Sequence, residues 1–312
     1  MDKPTLQKIH NLIKPYIHRS PVLTSQLLNT LCEADIFFKC ENFQKMGAFK
    51  MRGAVNAILN LTDEQKSRGV VTHSSGNFAQ ALSLACKDLD VKAYIVMPEN
   101  SPQVKKDAVK AYSGIIIECD SNINARETEA ARIQKEKGAA FIHPSNNDDV
   151  IHGQGTAAIE LLEDYNDLGY IFTSVGGGGL LAGTILAANH FSNGCKVIAG
   201  EPKEADDAYR SLISGNIEKN KTSNTIADGL RSHLGDRNFP IIKEHVEDII
   251  RVEEDDIIKA MKLIWERMKI IIEPSAAVAF AAVLKDKKRI KNKKIGVILS
   301  GGNVDLSNLP FK

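Results

Sequence analysis

From residue 69 onward, short runs of β-branched and apolar residues alternate with amphipathic stretches about ten residues long, and this alternation restricts the folds open to the chain. The runs 70–72, 93–97 and 114–118 are separated by the helical stretches 78–87 and 103–112. Strands joined by single helices form βαβ units, whose strands lie parallel in one sheet. The pattern predicts an α/β protein.

A second series of the same kind occupies the C-terminal half. The run 170–175 leads through glycines into the helical stretch 180–190 and the run 196–199. The last strong run, 295–299, ends at the polar turn Ser300-Gly301-Gly302-Asn303. Ligands of open α/β sheets bind at the carboxyl ends of the strands. We therefore expect two α/β domains with a ligand site in the cleft between them.

The charge balance excludes several classes of partner. The 312 residues carry 40 basic and 39 acidic side chains, a formal charge of +1. Such a chain has no overall field to gather nucleic acid or an anionic membrane, so neither is expected as a partner. The segment 1–20 lacks an apolar signal core, which favours a cytoplasmic location. The five scattered cysteines lack a C-x-x-C pair and are expected to be reduced thiols.

Four consecutive glycines lie between a predicted strand and a predicted helix: Gly176, Gly177, Gly178 and Gly179. Glycine lets the backbone wrap an anion, and the following helix N-terminus favours negative charge, so the run predicts a phosphate site. Gly177, Gly179 and Ala182 also fit the G-x-G-x-x-A fingerprint of dinucleotide-binding folds, with Glu201 ending the next strand. A nicotinamide enzyme is thus an alternative.

Two polar segments have roles that the residues alone leave open. Lys50 lies in the segment 45–54, and most lysines are solvated surface residues. The turn Ser74-Ser75-Gly76-Asn77 follows a predicted strand and opens a predicted helix. Its backbone N–H groups suit a carboxylate or a phosphate, and simple helix capping explains the same residues.

Acidic side chains cluster behind the predicted strand 196–199. Glu201, Glu204, Asp206 and Asp207 lie within one short segment. Mg²⁺ and Ca²⁺ bind carboxylate and carbonyl oxygens, so the segment is either a site for a hard cation or a solvated acidic loop.

Together these segments resemble the fold type II pyridoxal-phosphate enzymes, specifically the serine racemase and serine/threonine dehydratase family. The resemblance covers nearly the whole chain and includes the segments named above. Further matching motifs are Ser20-Pro21-Val22-Leu23-Thr24-Ser25, Ala227-Asp228-Gly229, Trp265-Glu266-Arg267-Met268, Glu273-Pro274-Ser275 and Ser300-Gly301-Gly302-Asn303-Val304-Asp305. It decides against a nicotinamide enzyme, since a dinucleotide fold needs neither Lys50 nor the serine-glycine turn after the last strand.

The resemblance implies two open twisted sheets with flanking helices and an active site in the cleft between domains. The large, cofactor-binding domain is expected to comprise residues 1–68 and 147–312. The small domain, residues 69–146, is expected to grip the substrate.

Pyridoxal 5'-phosphate is the implied cofactor, in a Schiff base with Lys50. A lysine desolvated in such a pocket has a lowered pKa and acts as a nucleophile and a base. Asn77 is expected at the ring hydroxyl and Ser300 at the pyridine nitrogen, where a neutral partner moderates electron withdrawal. The residues implied to hold the cofactor are Phe49, Lys50, Asn77, Gly176, Gly177, Gly178, Gly179, Leu180 and Ser300.

The substrate implied is a small amino acid, and the residues implied to bind it are Ser74, Ser75, Gly76, Asn77 and Arg126. In the family, proton removal by the lysine and loss of the β-hydroxyl convert serine to pyruvate and ammonia. Racemisation needs a second proton donor on the opposite face of the ring. Ser75 stands where serine racemases have this donor and many threonine dehydratases have alanine. We therefore expect a serine racemase that also dehydrates serine and threonine.

The resemblance also implies a divalent cation, Mg²⁺ or else Ca²⁺ or Mn²⁺, in a structural role, and a homodimer. Its ligands are expected to be Glu201, the carbonyl of Ala205, and Asp207.

Two positions depart from the family pattern. Phe78 stands where serine racemases usually have histidine, and Ala48 replaces a serine two residues before the lysine. The alternatives are therefore a dedicated serine/threonine or 3-hydroxyaspartate ammonia-lyase, an aspartate racemase, and a catalytically silent relative that binds ligand in the cleft.

Overall fold

The computed structural model describes residues 1–311. The strands are β1 (Val22–Leu23), β2 (Asp35–Cys40), β3 (Val70–His73), β4 (Ala93–Pro98), β5 (Ile115–Cys119), β6 (Ala140–Phe141), β7 (Tyr170–Ser174), β8 (Lys196–Pro202), β9 (Val246–Val252) and β10 (Lys294–Leu299). The α-helices are α1 (Lys3–Ile13), α2 (Gln26–Cys32), α3 (Lys50–Leu59), α4 (Asp63–Arg68), α5 (Asn77–Asp88), α6 (Gln103–Ala111), α7 (Ile123–Lys137), α8 (Asp148–Asp164), α9 (Gly179–Phe191), α10 (Asp207–Ser214), α11 (Phe239–His245), α12 (Glu254–Met268), α13 (Pro274–Lys285) and α14 (Lys287–Ile290).

The strands form two open sheets, which confirms the predicted fold class. One has the order β1-β2-β10-β7-β8-β9 and the other β5-β4-β3-β6. Neighbouring strands are parallel, except that β1 pairs antiparallel with β2. This antiparallel edge lies before residue 69, outside the runs for which parallel strands are predicted, and such an edge strand is common in α/β sheets.

The six-stranded sheet is covered by helices on both faces. Phe38 of β2 packs edge-on against Phe280 of α13, within one apolar cluster. Leu161 of α8 and Ile185 of α9 belong to a second cluster. Full burial of one such side chain stabilises the fold by about 1.5–3 kcal/mol. Burial on both faces explains why the central strands read as continuous apolar runs.

The helix α12 illustrates how local chemistry sets an element's bounds. The Glu253 side chain accepts a backbone N–H of the first turn, and the Glu253 N–H donates to Asp256 Oδ2 over 3.1 Å, which forms a capping box. Ile257, Met261 and Ile264 are buried, as their helical spacing predicts. The helix ends at Met268, and the capping residue Lys269 has a left-handed φ of 59°.

A third apolar cluster joins the four-stranded sheet to the rest of the molecule. Met51 and Val55 of α3 lie in this cluster with Phe78 and Leu82 of α5. Because α3 and α5 pack together, their first residues lie on neighbouring walls of one cleft. No helix among residues 1–311 is both long and apolar enough to cross a membrane.

Candidate active site

Lys50 is the first residue of α3 and lies against the turn that follows β10. The Phe49 backbone N–H donates to the Ser300 carbonyl over 3.0 Å, which holds the start of α3 against that turn. The Lys50 Nζ donates to the Pro144 carbonyl over 2.6 Å. It also lies 5.0 Å from the centre of the Phe49 ring and 5.6 Å from that of Phe78. The amine is thus enclosed by apolar rings with one hydrogen-bond acceptor.

This enclosure changes the chemistry of the amine. Burial lowers the pKa of Lys50 to about 7, and the nearby Glu273 carboxylate opposes the shift. A solvated lysine has a pKa of about 10.4. Lys50 is therefore part neutral at neutral pH, as a nucleophile or a general base must be.

The four glycines follow β7 and lead into α9, whose first residue is Gly179, and they are tightly surrounded by backbone and side chains. Gly178 has a left-handed φ of 79°, and a Cβ there would lie 2.7 Å from Asn238 Oδ1. A Cβ at Gly176 would lie 2.7 Å from the Leu230 Cα. Asn238 Nδ2 donates to the Gly177 carbonyl over 2.7 Å. No side chain caps the first turn of α9, so its N–H groups remain available for an anion.

The segment 144–145 links this glycine turn to Lys50. Pro144 accepts the hydrogen bond from Lys50, and a Cβ at Gly179 would lie 3.0 Å from the Ser145 carbonyl. Leu180, in the first turn of α9, is buried in the second apolar cluster. The structure therefore brings the predicted amine and the predicted phosphate turn to one site.

The turn Ser74-Ser75-Gly76 lies between β3 and α5. Helix α5 begins at Asn77, and no side chain caps it, so helix capping does not account for the two serines. Ser74 Oγ accepts from the Gly76 N–H at 3.4 Å. Ser75 is partly buried and its hydroxyl has no hydrogen-bond partner among residues 1–311. The turn is free to bind an outside group.

Two residues without a role assigned from the sequence hold the Asn77 side chain. Asn77 Nδ2 donates to Glu273 Oε1 over 2.8 Å, and Asn303 Nδ2 donates to Asn77 Oδ1 over 2.9 Å. Glu273 is 4% exposed, and burial raises its pKa to about 7 although the bond from Asn77 opposes the shift. The sequence does contain a signal for the burial of Glu273. It is the one charged residue between three consecutive isoleucines and the apolar stretch that forms α13.

Arg126 lies on α7, away from the contacts described so far. Its Nε is buried and has no hydrogen-bond partner among residues 1–311. Burial, and then the charge of Arg126, lower the pKa of His73 at the end of β3. No hydrogen bond or ion pair in the described chain joins Arg126 to Lys50 or Ser75.

A cavity of about 230 Å³ lies between α7 and the ends of β3 and β6. His73, Glu127 and His143 line it. His143 Nδ1 accepts from the Ser145 and Asn146 N–H groups at 3.1 and 2.8 Å, which places any ring proton on Nε2. Burial lowers the pKa of His143 to about 4, so the ring is neutral at physiological pH.

Two carboxylates of the acidic segment are buried, whereas Glu204 and Asp206 are partly exposed. Glu201 and Asp207 are fully buried. Both Glu201 oxygens accept backbone N–H groups, from Ala208 and Tyr209 at 2.8 Å. Burial, and then Asp207, raise the pKa of Glu201 well above its ordinary value, and burial raises that of Asp207 to about 6.

Comparison with known proteins identifies the class to which this fold and site belong. Residues 13–301 match the family model described as pyridoxal-phosphate dependent enzyme. The chain therefore belongs to the pyridoxal-phosphate dependent enzymes, as the sequence resemblance predicts.

Within that family the chain is similar to racemases and ammonia-lyases. Serine racemase of Dictyostelium discoideum is 51% identical over 310 residues, which are 97% of this chain and 95% of that protein. Its crystal structure has a TM-score of 0.93 and covers 97% of this chain and 98% of its own. The β-hydroxyaspartate dehydratase of Paracoccus denitrificans is 46% identical over 302 residues, 97% of this chain and 96% of that protein. The predicted enzyme class and fold type are confirmed.

Proposed function

We propose that this enzyme interconverts L- and D-serine and also dehydrates serine and threonine to a 2-oxo acid and ammonia. The observation that carries the proposal is the enclosed Lys50 amine with its pKa lowered to about 7, in a cleft that also holds an uncapped serine turn. Similarity to serine racemases over nearly the full chain supports the choice of substrate.

The residues present fit pyridoxal phosphate. The glycine turn is too tightly packed for a Cβ and precedes uncapped helix N–H groups, which suits the phosphate of the cofactor. Lys50 would carry the cofactor, with Phe49 beside its ring, Leu180 N–H near the phosphate, Asn77 at the ring hydroxyl and Ser300 at the pyridine nitrogen. When bound, the cofactor withdraws electrons from the substrate Cα and makes its proton acidic.

The chain's own groups then decide where the proton goes. Lys50 is assigned to take and return the α-proton on one face, because its amine is part neutral at neutral pH. Ser75 is assigned to exchange the proton on the opposite face, since its hydroxyl is otherwise unbonded. Removal by one group and return by the other inverts Cα. Removal with loss of the β-hydroxyl as water, followed by hydrolysis, gives pyruvate and ammonia.

Substrate binding is assigned to the turn that contains Ser74, Ser75, Gly76 and Asn77. Backbone N–H groups at this uncapped helix start suit the substrate carboxylate. Residues 69–146, which contain this turn, are proposed as the small substrate-gripping domain. Residues 1–68 and 147–312 are proposed as the large cofactor-binding domain.

A second candidate function is a dedicated 3-hydroxyaspartate ammonia-lyase. Arg126 favours it, because its buried Nε lacks a partner and a second substrate carboxylate would supply one. The 46% identity to a β-hydroxyaspartate dehydratase is consistent with this candidate. Of the two departures from the family pattern, Phe78 has its ring centre 5.6 Å from the Lys50 amine, and Ala48 is fully buried against Gly301.

Chiral product analysis tests the proposal and separates the two functions. Purified enzyme loaded with pyridoxal phosphate is incubated with L-serine, L-threonine, L-aspartate and 3-hydroxyaspartate in parallel. We expect D-serine and pyruvate from L-serine. Pyruvate without D-serine would refute the racemase, and turnover of 3-hydroxyaspartate alone would establish the second candidate.

Borohydride reduction followed by peptide mapping distinguishes an enzyme from a silent ligand-binding relative. We expect a pyridoxyl group on the peptide that contains Lys50, and none in Lys50→Ala, which should also lose all turnover. A wild-type protein without the modified peptide would contradict the cofactor assignment.

A structural divalent cation, Mg²⁺ or else Ca²⁺ or Mn²⁺, is proposed at Glu201, Asp207 and the Ala205 carbonyl. The fit rests on Asp207 Oδ1, a buried carboxylate oxygen without a partner among residues 1–311. A cation would neutralise two buried carboxylates that otherwise repel each other, and waters would complete its shell. Residues 1–311 contain no cluster of three or more His, Cys, Asp or Glu suited to a metal, so this set relies on carbonyl and water oxygens.

We further propose that the enzyme is a cytoplasmic homodimer. The scattered cysteines, which form no disulfide within the described chain, suit a reducing compartment. Exposed apolar side chains at Leu27, Leu31, Phe43 and Ile271 supply surface for a second copy.

A further inference from the structure

One partly exposed ion pair joins α6 to the turn that packs against the glycine run. Lys105 Nζ lies 2.6 Å from Asp228 Oδ2, although the residues are 123 positions apart. Lys105 is in the first turn of α6, which belongs to the four-stranded sheet, and Asp228 begins a short 3₁₀ turn, Asp228–Leu230. Their side chains are 29% and 45% exposed, so the pair meets solvent.

The Asp228 side of the pair is firmly attached to the wall of the glycine turn. The Gly229 N–H donates to Ser275 Oγ of α13 over 3.0 Å. A Cβ at Gly176 would lie 2.7 Å from the Leu230 Cα, and Leu230 is buried in the first apolar cluster. Asp228 is therefore fixed directly outside the site assigned to the cofactor phosphate.

The Lys105 side is attached to the wall that carries the serine turn. Its neighbour Lys106 donates to the Glu99 carbonyl over 2.6 Å and to Glu118 over 2.7 Å, which ties the start of α6 to its own sheet. The Ser74 N–H donates to the Val96 carbonyl of β4 over 3.2 Å. A displacement of α6 and β4 is thus transmitted to the turn assigned to the substrate.

Other contacts join the wall of the serine turn to the wall of the glycine turn at different places. Within residues 1–311 the other ion pair between 69–146 and the rest is Lys45–Asp88, at the far end of α5. The apolar packing of α3 on α5 also joins the two walls, along the length of α5. Asn77 and Glu273 meet inside the site. The Lys105–Asp228 pair alone joins charges from α6 to the wall of the glycine turn in the described chain.

We propose that Lys105 and Asp228 form a latch that holds the serine turn over the glycine turn while substrate is bound and releases it for entry and exit. The proposal rests on the proposed function of the site. An exposed ion pair contributes at most about five-fold to an equilibrium constant. A contact this weak suits a gate that opens in every catalytic cycle.

Hydrogen–deuterium exchange of the enzyme loaded with pyridoxal phosphate tests the latch. In Lys105→Met and in Asp228→Asn, we expect the amide protons of residues 93–111 to exchange about two- to five-fold faster than in the wild type. The double reversal Lys105→Asp with Asp228→Lys should restore slow exchange. Lys110→Met, which removes an exposed charge from the same helix, is the matched control and should not change the rate. High salt should raise the exchange rate of the wild type and leave that of Lys105→Met unchanged.

Kinetics with L-serine supply the functional readout. In the two single variants KM should rise about two- to five-fold with kcat unchanged or raised, because the closed form is populated less. The latch would be overturned if the amides of Lys105→Met exchanged at the wild-type rate, or if those of the double reversal exchanged as fast as those of the single variants. If exchange changes as expected in a protein that makes neither D-serine nor pyruvate, the latch stands and the proposed function fails. If the enzyme makes D-serine or pyruvate but the exchange rates of the variants are unchanged, the proposed function stands and the latch fails.

Discussion

Lys50 and Glu273 show how burial sets the chemistry of single residues in this enzyme. Burial moves the pKa of the lysine down to about 7 and that of the glutamate up to about 7, because it disfavours the charged form of each. Opposite shifts of an amine and a carboxyl in one cleft are characteristic of a catalytic site.

The Lys50 shift predicts selective labelling of cofactor-free protein by acetic anhydride. Only the neutral amine reacts, so labelling of Lys50 should reach half its maximal rate at a pH of about 7, whereas a free lysine does so at a pH of about 10.4. Peptide mass spectrometry across a pH series measures this, with Lys50→Ala as the control for peptide assignment. Half-maximal labelling near pH 10 would show that the amine is solvated.

Ser75 gives a prediction that separates the two reactions. Ser75→Ala removes the proposed proton donor on one face and leaves Lys50 on the other. Racemisation should fall about 10²–10⁴-fold, the usual worth of a general acid–base group, while elimination falls only a few-fold. Chiral chromatography for D-serine and a coupled assay for pyruvate measure both rates. Equal losses would contradict a two-base mechanism.

At the scale of elements, a buried ionic network anchors α3 behind the active site. Arg52 Nε lies 2.7 Å from Glu41 Oε2, and Arg52 Nη2 lies 2.8 Å from Glu160 Oε2. Lys39 Nζ lies 2.6 Å from the same Glu160 oxygen. All four side chains are at most 1% exposed. Two positive and two negative groups balance, and the network ties α3 to β2 and α8.

Removing Arg52 should therefore cost far more than removing an exposed arginine. Arg52→Leu leaves Glu41 and Glu160 short of positive charge in the core, and we expect the free energy of unfolding to fall by about 3–5 kcal/mol. Arg68→Leu, which breaks an exposed pair with Glu64, should change it by about 1 kcal/mol or less. Urea denaturation measures both, and equal losses would mean that the network is not a structural anchor.

The connection between β8 and α10 carries a pH-dependent prediction. The folded-state pKa of Asp207, about 6, lies above its ordinary value of 3.8, so metal-free protein binds extra protons when folded and loses stability as pH rises from 3.8 through 6. A cation replaces those protons. Mg²⁺ should therefore raise the melting temperature more at pH 8 than at pH 5.

The matched variants for this prediction are Asp207→Asn and Glu204→Gln. The first should abolish the Mg²⁺ response of the melting temperature, and the second, outside the proposed ligand set, should retain it. A melting temperature that is insensitive to both Mg²⁺ and EDTA at pH 8 would contradict the cation site.

At the scale of the whole molecule, apolar surface predicts self-association. Phe43 is 46% exposed and Ile271 48% exposed, and they flank a hydrogen bond between Asn42 and the Ile271 carbonyl. Sedimentation should give twice the chain mass of 34.2 kDa. Phe43→Asp with Ile271→Asp should favour the monomer, because it places two charges in the proposed interface. Ile213→Asp, at a 69% exposed side chain of α10, should remain dimeric. A monomeric wild type would contradict the homodimer.

The extent to which sequence predicted the fold is clearest in particular elements. The strand predicted at 93–97 is Ala93–Pro98, and the helix predicted at 103–112 is Gln103–Ala111. The helix predicted at 78–87 is Asn77–Asp88, one residue longer at each end. Hydrophobic periodicity is local, so it identifies elements well and their ends less well.

Local pattern also determined the chemistry available: an amine before a helix, a glycine turn before another, and a pair of serines at a strand end. Only the tertiary structure decided which groups meet. Glu273 binds Asn77 across 196 positions, Lys50 reaches Pro144 across 94, and Lys105 pairs with Asp228 across 123. These contacts, and the pKa shifts that burial produces, depend on how helices and sheets pack, which no local periodicity encodes.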